Sequence, residues 1–221
     1  MQDKFEDSRV SEAVVHRLPK YYRYLVELET MGIERVSSSR MSKEMGLNAS
    51  QIRRDLNCFG GFGQQGYGYL VKRLKQEIKK ILGVGIGYKA VLIGVGNIGQ
   101  ALLNYRRFAD EGYHIIAAFD ADEDMVGQVF GGIQVQSMNR LADSIRRSQA
   151  DIGILSVPKP FAQHMADMLI SLGVSAIWNF APVDVQVPEG RVVENVHLSD
   201  SLYILSYHLR DRREGNTDQN E

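Results

Sequence analysis

One stretch of this chain constrains the rest more than any other. The apolar run KAVLIG (89–94) passes directly into GVGNIG, which places Gly94, Gly96 and Gly99 in a G-x-G-x-x-G spacing. A strand, a tight glycine turn and a helix are what that pattern encodes. The first glycine permits the turn, the second lets a pyrophosphate approach the backbone, and the third lets helix and strand pack closely. The unpaired N–H groups of the new helix then face the phosphates. The motif alone is weak, but Asp120 closes the next apolar run, HIIAAFD (114–120). A carboxylate there accepts from an adenosine ribose hydroxyl and repels the extra phosphate of NADP, so the motif points to NAD. The plainer alternative is a glycine turn that only joins strand to helix, with Asp120 as a surface cap.

The rest of the second half fits that frame. Short β-branched or apolar runs at 89–94, 114–120, 133–135, 151–158 and 175–180 alternate with helical stretches near 97–110, 137–148 and 160–172. Near-continuous apolar strands separated by helices predict a parallel sheet covered on both faces. Ligands of such sheets sit beyond the carboxyl ends of the strands. Val157 and Pro158 end the fourth run, and Asn179, Phe180, Ala181 and Pro182 end the fifth. They are the residues expected beside a nicotinamide, although both prolines also serve as plain strand terminators. A last helix is predicted near 199–211, with Leu202, Tyr203, Leu205 and Leu209 as its apolar stripe. It either caps the domain or packs on a second subunit.

The first 84 residues have a different character. A helix starts near Leu18, with Pro19 in its first turn and Gly32 at its stop. Ser37, Ser38 and Ser39 offer an N-cap for a short helix that ends at Gly46. Asn48 followed by Gln51 reads as a capping box for the next helix, which turns Ile52, Leu56 and Phe59 inward. Helix, tight turn and helix make a helix-turn-helix. Five glycines in GGFGQQGYGY (60–69) predict a hairpin wing. An amphipathic helix follows, with Leu70, Leu74, Ile78 and Ile81 on one side and Lys72, Arg73, Lys75, Lys79 and Lys80 on the other. Gly83, Gly85 and Gly87 mark a domain boundary.

Charge divides at the same place. The whole chain carries a net −1, but residues 1–84 hold 15 Lys/Arg against 10 Asp/Glu, and residues 85–221 hold 11 against 17. A basic head on an acidic body fits a nucleic-acid face, the plainer alternative being random surface charge. Ser50, Gln51, Arg53 and Arg54 cluster in the N-terminal half of the second helix, which is the half that enters a major groove. Lys43, Arg54 and the basic helix serve phosphates, and Tyr67 of the wing touches backbone or minor groove.

Several classes are excluded by composition. A single cysteine, Cys58, permits no disulfide framework, and no Cys/His cluster suggests a metal. No apolar run reaches membrane length, and the start MQDKFEDSR does not read as a signal peptide, so the expectation is a cytoplasmic protein without a membrane partner. The domain plan is a winged-helix DNA-binding domain (1–84), a Rossmann dinucleotide domain (85–198), a C-terminal helix (199–211) and a disordered tail (212–221). A dehydrogenase with a helical N-terminal extension is the competing reading. It would need a proton-handling residue near the nicotinamide. His114, His164, His197 and Lys159 have no obvious carboxylate partner in sequence, and little chain remains for a substrate domain.

The chain resembles the Rex family of redox-sensing transcriptional repressors over roughly 14–210. The stretches that carry the likeness include RLPKYYRYL (17–25), SQIRRDLNCFGGFGQQGYGY (50–69), VLIGVGNIGQALLNY (91–105), NFAPVDVQVPEG (179–190) and ENVHLSDSLYILSYHL (194–209). The resemblance implies a homodimer that binds inverted-repeat operator DNA and releases it when NADH is bound, with the final helix exchanged between subunits. It implies no enzyme activity. It adds Asn97 and Ile98 to the pyrophosphate loop, Gly66 and Gly68 to the wing, and a switch network of Arg17, Tyr105 and the residue at 197. The family usually carries an aspartate at 197, where this chain has His197. A histidine cannot stand in for an anionic acceptor. The expectation is an NADH response that is weakened or depends on pH, as in a paralogue with weaker NADH sensing. Cys58 replaces an aromatic and is expected to be buried. Lys159 stands where small or acidic residues are usual.

Overall fold

A computed structural model describes residues 10–64 and 67–217. The chain divides into two compact units, Met1–Val84 and Gly85–Glu221.

In the first unit, α1 (Glu12–Val15) and α2 (Leu18–Thr30) lead to a short strand, β1 (Arg35–Val36). Then follow α3 (Ser38–Met45), α4 (Ala49–Asn57), β2 (Gly63–Gln64), β3 (Gly68–Leu70) and α5 (Val71–Ile81). The caps explain the boundaries. Ser37 accepts from the Arg40 N–H to start α3, and Gly46 stops it at φ 65°. Asn48 starts α4, but not as a capping box. Its Oδ1 takes both the N–H and the hydroxyl of Ser50 instead of pairing with Gln51. The wing is a three-stranded antiparallel sheet in the order β1-β3-β2. Gly68 is required there: its φ is +70°, and a Cβ would stand 2.6 Å from the Val36 carbonyl oxygen. Gly66 lies outside the described residues. Leu18, Tyr21, Leu25, Met41, Ile52, Leu56, Leu74 and Ile78 form the core beneath.

Two expectations change here. The helix carrying Ile52 and Leu56 ends at Asn57, so Phe59 packs on the core from just beyond it. Cys58 is exposed rather than buried, with its Sγ–H on the Arg54 carbonyl. Position 58 lies about 200° around the helix from Leu56, so the inward face turns away from it.

The second unit is a doubly wound sheet. Its elements run β4 (Tyr88–Ile93), α6 (Asn97–Asn104), α7 (Arg107–Asp110), β5 (Tyr113–Asp120), β6 (Val129–Phe130) and β7 (Ile133–Ser137). They continue through α8 (Leu141–Ser148), β8 (Ile152–Leu155), α9 (Lys159–Ser171), β9 (Ala176–Asn179), β10 (Val192–Asn195) and α10 (Asp200–Thr217). The strand order is β10-β9-β8-β4-β5-β7-β6. All pairs are parallel except β6 with β7. Val91 and Ile93 of β4 join one core and Ala90 and Leu92 the other, so the sheet is buried on both faces. Strand order reverses between β4 and β8, and this opens a crevice at their carboxyl ends.

The helix predicted over 97–110 is two helices. Tyr105 leaves the helical region at ψ 86°, and the Asn104 amide turns to the Gln100 carbonyl and the Gly131 N–H. The last helix extends to Thr217, into the stretch expected as a tail; residues 218–221 lie outside the described ones. Leu202, Tyr203, Ile204, Leu205, Tyr207 and Leu209 of α10 are each 56–68% exposed. Among the described residues, nothing covers this apolar helix. Among the described residues, no helix is long and apolar enough to cross a membrane. Among the described residues, no cluster of three or more His, Cys, Asp or Glu could hold a metal ion.

Candidate functional site

The crevice of the second unit is a cleft of about 930 Å³. Its floor is the turn from β4 to α6, and each glycine there has its own physical reason. Gly94 adopts φ +89°, and a Cβ would lie 2.7 Å from the Ser156 carbonyl oxygen. Gly99 packs so closely under the turn that a Cβ would collide with the Gly94 carbonyl oxygen. A Cβ on Gly96 would meet nothing within 4 Å, so this glycine keeps open space in front of the helix. Gly96 is also the N-cap of α6, with no side chain closing the cap. The free N–H groups and the positive end of the helix therefore remain available to an anion. These features fit the pyrophosphate of a dinucleotide.

Asp120 ends β5 at the cleft wall, and its carboxylate is already at work. Oδ2 accepts the Val95 N–H at 2.5 Å and Oδ1 the Asp122 N–H at 2.9 Å. It therefore buttresses the glycine turn, while its remaining lone pairs stay available to a ribose. Asp122 lines the cleft beside it. Met138, which follows β7, also lines the cleft; the side below β8 and β9 is apolar, built from Val157, Pro158, Phe161, Met165, Met168, Phe180 and Pro182.

Of the residues singled out in the sequence, Gly94, Gly96, Ile98, Asp120, Val157, Pro158, Phe180 and Pro182 line this cleft. Asn97 and Gly99 sit in the first turn of α6 without lining it. Asn179 and Ala181 are almost fully buried, at 0% and 1% exposure. Asn179 spends its amide inside the protein, donating to the Val183 carbonyl and to Asn195 Oδ1 and accepting from the Ala181 N–H. Tyr105 follows α6 with its ring against Phe108, and it too does not line the cleft. Lys159 opens α9 and is exposed. Residues that sequence reasoning passed over include Asp122, Ser156, Phe161, Met165 and Met168. The last three had a visible signal: they recur at i, i+4 and i+7 from the start of a helix that follows a strand.

His197 has a carboxylate partner after all. Its Nε2 lies 2.8 Å from Asp184 Oδ1, and this contact, with Asp200 nearby, raises its pKa above the ordinary histidine value. Both partners lie outside the cleft lining.

The helix expected to read DNA is α4 (Ala49–Asn57). Ser50, Arg53 and Arg54 are exposed, Gln51 is half-buried, and Lys43 is exposed on α3. Arg53 rests its guanidinium on the Ser38 hydroxyl at 3.0 Å. Tyr67 of the wing is 70% exposed. On the inner side of α4, Asp55 is buried at 3% exposure. Arg17 grips its carboxylate with two hydrogen bonds, at 2.6 and 2.8 Å, and the Tyr21 hydroxyl adds a third at 2.6 Å. Burial pushes the Asp55 carboxyl up, and the Arg17 and Tyr21 hydrogen bonds outweigh it and hold it below the usual range. Arg17 thus has its carboxylate within the first unit, and His197 has its own within the second.

Comparison with known proteins gives the same division. Residues 86–183 match the family described as "CoA binding domain", and residues 9–57 match "Putative DNA-binding protein N-terminus". The chain is 48% identical to the redox-sensing transcriptional repressor Rex of Thermoanaerobacter pseudethanolicus, over 92% of this chain and 91% of the relative. It is 50% identical to the Rex repressor of Clostridium beijerinckii, over 91% and 96%. Among solved structures, RSP in complex with β-NAD⁺ and operator DNA matches at a TM-score of 0.87 and 46% identity, covering 97% of this chain and 99% of that one. RSP in complex with β-NADH matches at 0.88 and 43%, covering 96% and 99%. The chain belongs to the Rex family of redox-sensing transcriptional repressors.

Proposed function

We propose that this protein represses transcription as a homodimer on inverted-repeat operator DNA and lets go when NADH fills its cleft. The observation that carries the reading is the pairing, in one chain, of an open glycine cradle with a basic helix-turn-helix whose polar residues point outward. Relatives in complex with β-NAD⁺ and operator DNA, and with β-NADH, support it.

The chain's residues have separable tasks. The N–H groups at the start of α6, with Gly94 and Gly96, hold the pyrophosphate. Asp120 and Asp122 take the adenosine ribose and exclude a 2′-phosphate by charge. Phe180, Pro182, Val157 and Phe161 enclose the nicotinamide end. That end is apolar, so it favours the neutral reduced ring over the cationic oxidised one, whose charge would have to be desolvated. NAD(H) is a signal here, and no hydride acceptor is needed. On the DNA side, Ser50, Gln51, Arg53 and Arg54 read the major groove, while Lys43 and Tyr67 contact the backbone. The bare apolar α10 is the segment exchanged between subunits. Two heads fixed on one dimer must match half-sites about 34–36 Å apart, so a subunit rotation alone breaks register. Arg17, Tyr105 and His197 are the proposed switch residues, and His197 sets the pH range of the response.

Titration of an inverted-repeat operator with the protein alone, with NAD⁺ and with NADH tests this. Release by NADH alone is the expected result. DNA binding indifferent to nucleotide refutes the sensor, and NADH-driven turnover of a small substrate favours a dehydrogenase.

A further inference from the structure

The apolar end of the cleft depends on a segment with no regular structure. Residues 180–191 run from the end of β9 to β10 without forming a helix or strand. Phe180 and Pro182, at its start, are part of the cleft wall. Backbone groups in an irregular segment need partners from elsewhere.

Here side-chain amides supply them. Asn195, at the end of β10, accepts the Val185 N–H at 3.0 Å and donates to the Val185 carbonyl at 3.2 Å. Gln163, on α9, does the same for the next residue: it accepts the Gln186 N–H at 3.0 Å and donates to the Gln186 carbonyl at 2.9 Å. A carboxamide carries a donor and an acceptor side by side, so each one imitates a neighbouring strand. Asn179 fills the gap between them and Phe180, binding Ala181 and Val183 and anchoring on Asn195. Four residues after Phe180, namely Ala181, Val183, Val185 and Gln186, are thereby held by three amides from three elements, while Val185 plugs into the core at 2% exposure.

We infer that Asn195 and Gln163 are positioning residues for the nicotinamide half of the cleft, acting through the 180–187 segment on Phe180 and Pro182. Neither side chain lines the cleft. The inference rests on the cofactor reading proposed above and adds residues that the glycine motif does not reach. The adenosine half is held by other elements: the turn from β4 to α6 and the end of β5. Loosening the segment therefore weakens one half of the ligand and spares the other.

The test compares NADH with ADP-ribose, which has the same adenosine, pyrophosphate and second ribose but no nicotinamide. Gln163→Ala removes one exposed amide at a position where alanine suits the helix. Asn195→Asp keeps the acceptor but sets a carboxylate against the Val185 carbonyl. Each variant should bind NADH about five- to tenfold more weakly, the equivalent of one ordinary net hydrogen bond, and bind ADP-ribose within about twofold of the parent. A parallel loss of both ligands would show that the amides support only the fold, and overturns the proposal. Unchanged NADH affinity in both variants overturns it as well. A parent protein that binds neither ligand overturns the cofactor reading itself, and this inference with it.

Discussion

Replacing Arg17 by alanine removes the clamp on the buried side of the reading helix. Asp55 would remain on α4 with its side chain 4% exposed and one hydrogen bond, from Tyr21, in place of three. Removing one partner of a buried ion pair costs about 3–5 kcal/mol, because the other charge stays buried and uncompensated. The Arg17 side chain is 23% exposed, so water reaches the vacated position and the lower end, about 3 kcal/mol, applies. At about 4–8 °C per kcal/mol for a domain of this size, the first unit should melt roughly 12–24 °C lower. Far-UV circular dichroism reads the helices, and Trp178, the single tryptophan, reports the second unit alone by fluorescence. The expected result is an early helix-loss transition that the tryptophan does not follow. The triple variant Arg17→Leu, Tyr21→Phe, Asp55→Leu removes the charges and the hydroxyl together and should recover most of the loss. In the parent, the depressed Asp55 pKa means that the clamp's stabilisation is complete above the ordinary carboxyl value, about 4, and is lost as pH falls through the lower folded value. Arg17→Ala should shrink that acid sensitivity. A shift below about 1 kcal/mol for Arg17→Ala, or a triple variant as unstable as the single one, would refute the reasoning.

Three further outcomes follow from the geometry. The raised His197 pKa means the pair with Asp184 is fully formed below the ordinary histidine value and is lost as pH rises through the raised folded value; Asp184→Asn should lower that titration, followed by NMR, toward the ordinary histidine value and flatten any pH dependence of NADH-driven release. Gly99→Ala drives a methyl group into the Gly94 carbonyl and should abolish NADH binding while leaving operator binding by the first unit intact, checked by fluorescence titration and gel shift. Deleting residues 200–217 removes the apolar helix and should convert the dimer to a monomer in analytical ultracentrifugation, with operator affinity falling by orders of magnitude as the two heads lose their shared register.

Local signals accounted for most of the fold that could be read in advance. The caps at Ser37 and Asn48 and the stop at Gly46 act within a few residues of themselves, and the buried strands of the sheet are apolar nearly throughout. The elements missed are those with weak local character. β10 is an edge strand with alternating exposed and half-buried residues, VVEN, and its partner β9 lies across a long irregular segment. β6 has only two residues and pairs with β7 through a tight turn. The break after α6 comes from Asn104 reaching Gly131, 27 positions away, which no helical periodicity can announce.

The sites divide along the same line. The place of Gly94, Gly96 and Asp120 in the cleft was legible because it follows from a strand meeting a helix. The assignment of Asn179 and Ala181 to the cofactor was drawn from their place at a strand's carboxyl end, but such an end has two sides, and theirs faces the protein. Asp55 shows that long-range partners still leave a trace. It shares a helical face with Ile52 and Leu56, so a carboxylate stands at a position otherwise apolar. A charge there must find an opposite charge or lose its ionisation, and Arg17 stands immediately before the apolar face of α2 begins at Leu18. A buried charge on the inner face of a reading helix constrains its orientation more tightly than an apolar contact does, because three directional hydrogen bonds tolerate less rotation than packing alone. Asp55 therefore aims the helix from the face opposite to the exposed Ser50 and Arg53, two of the residues proposed to read base edges. A substitution that spares every DNA contact can still cost the protein its operator.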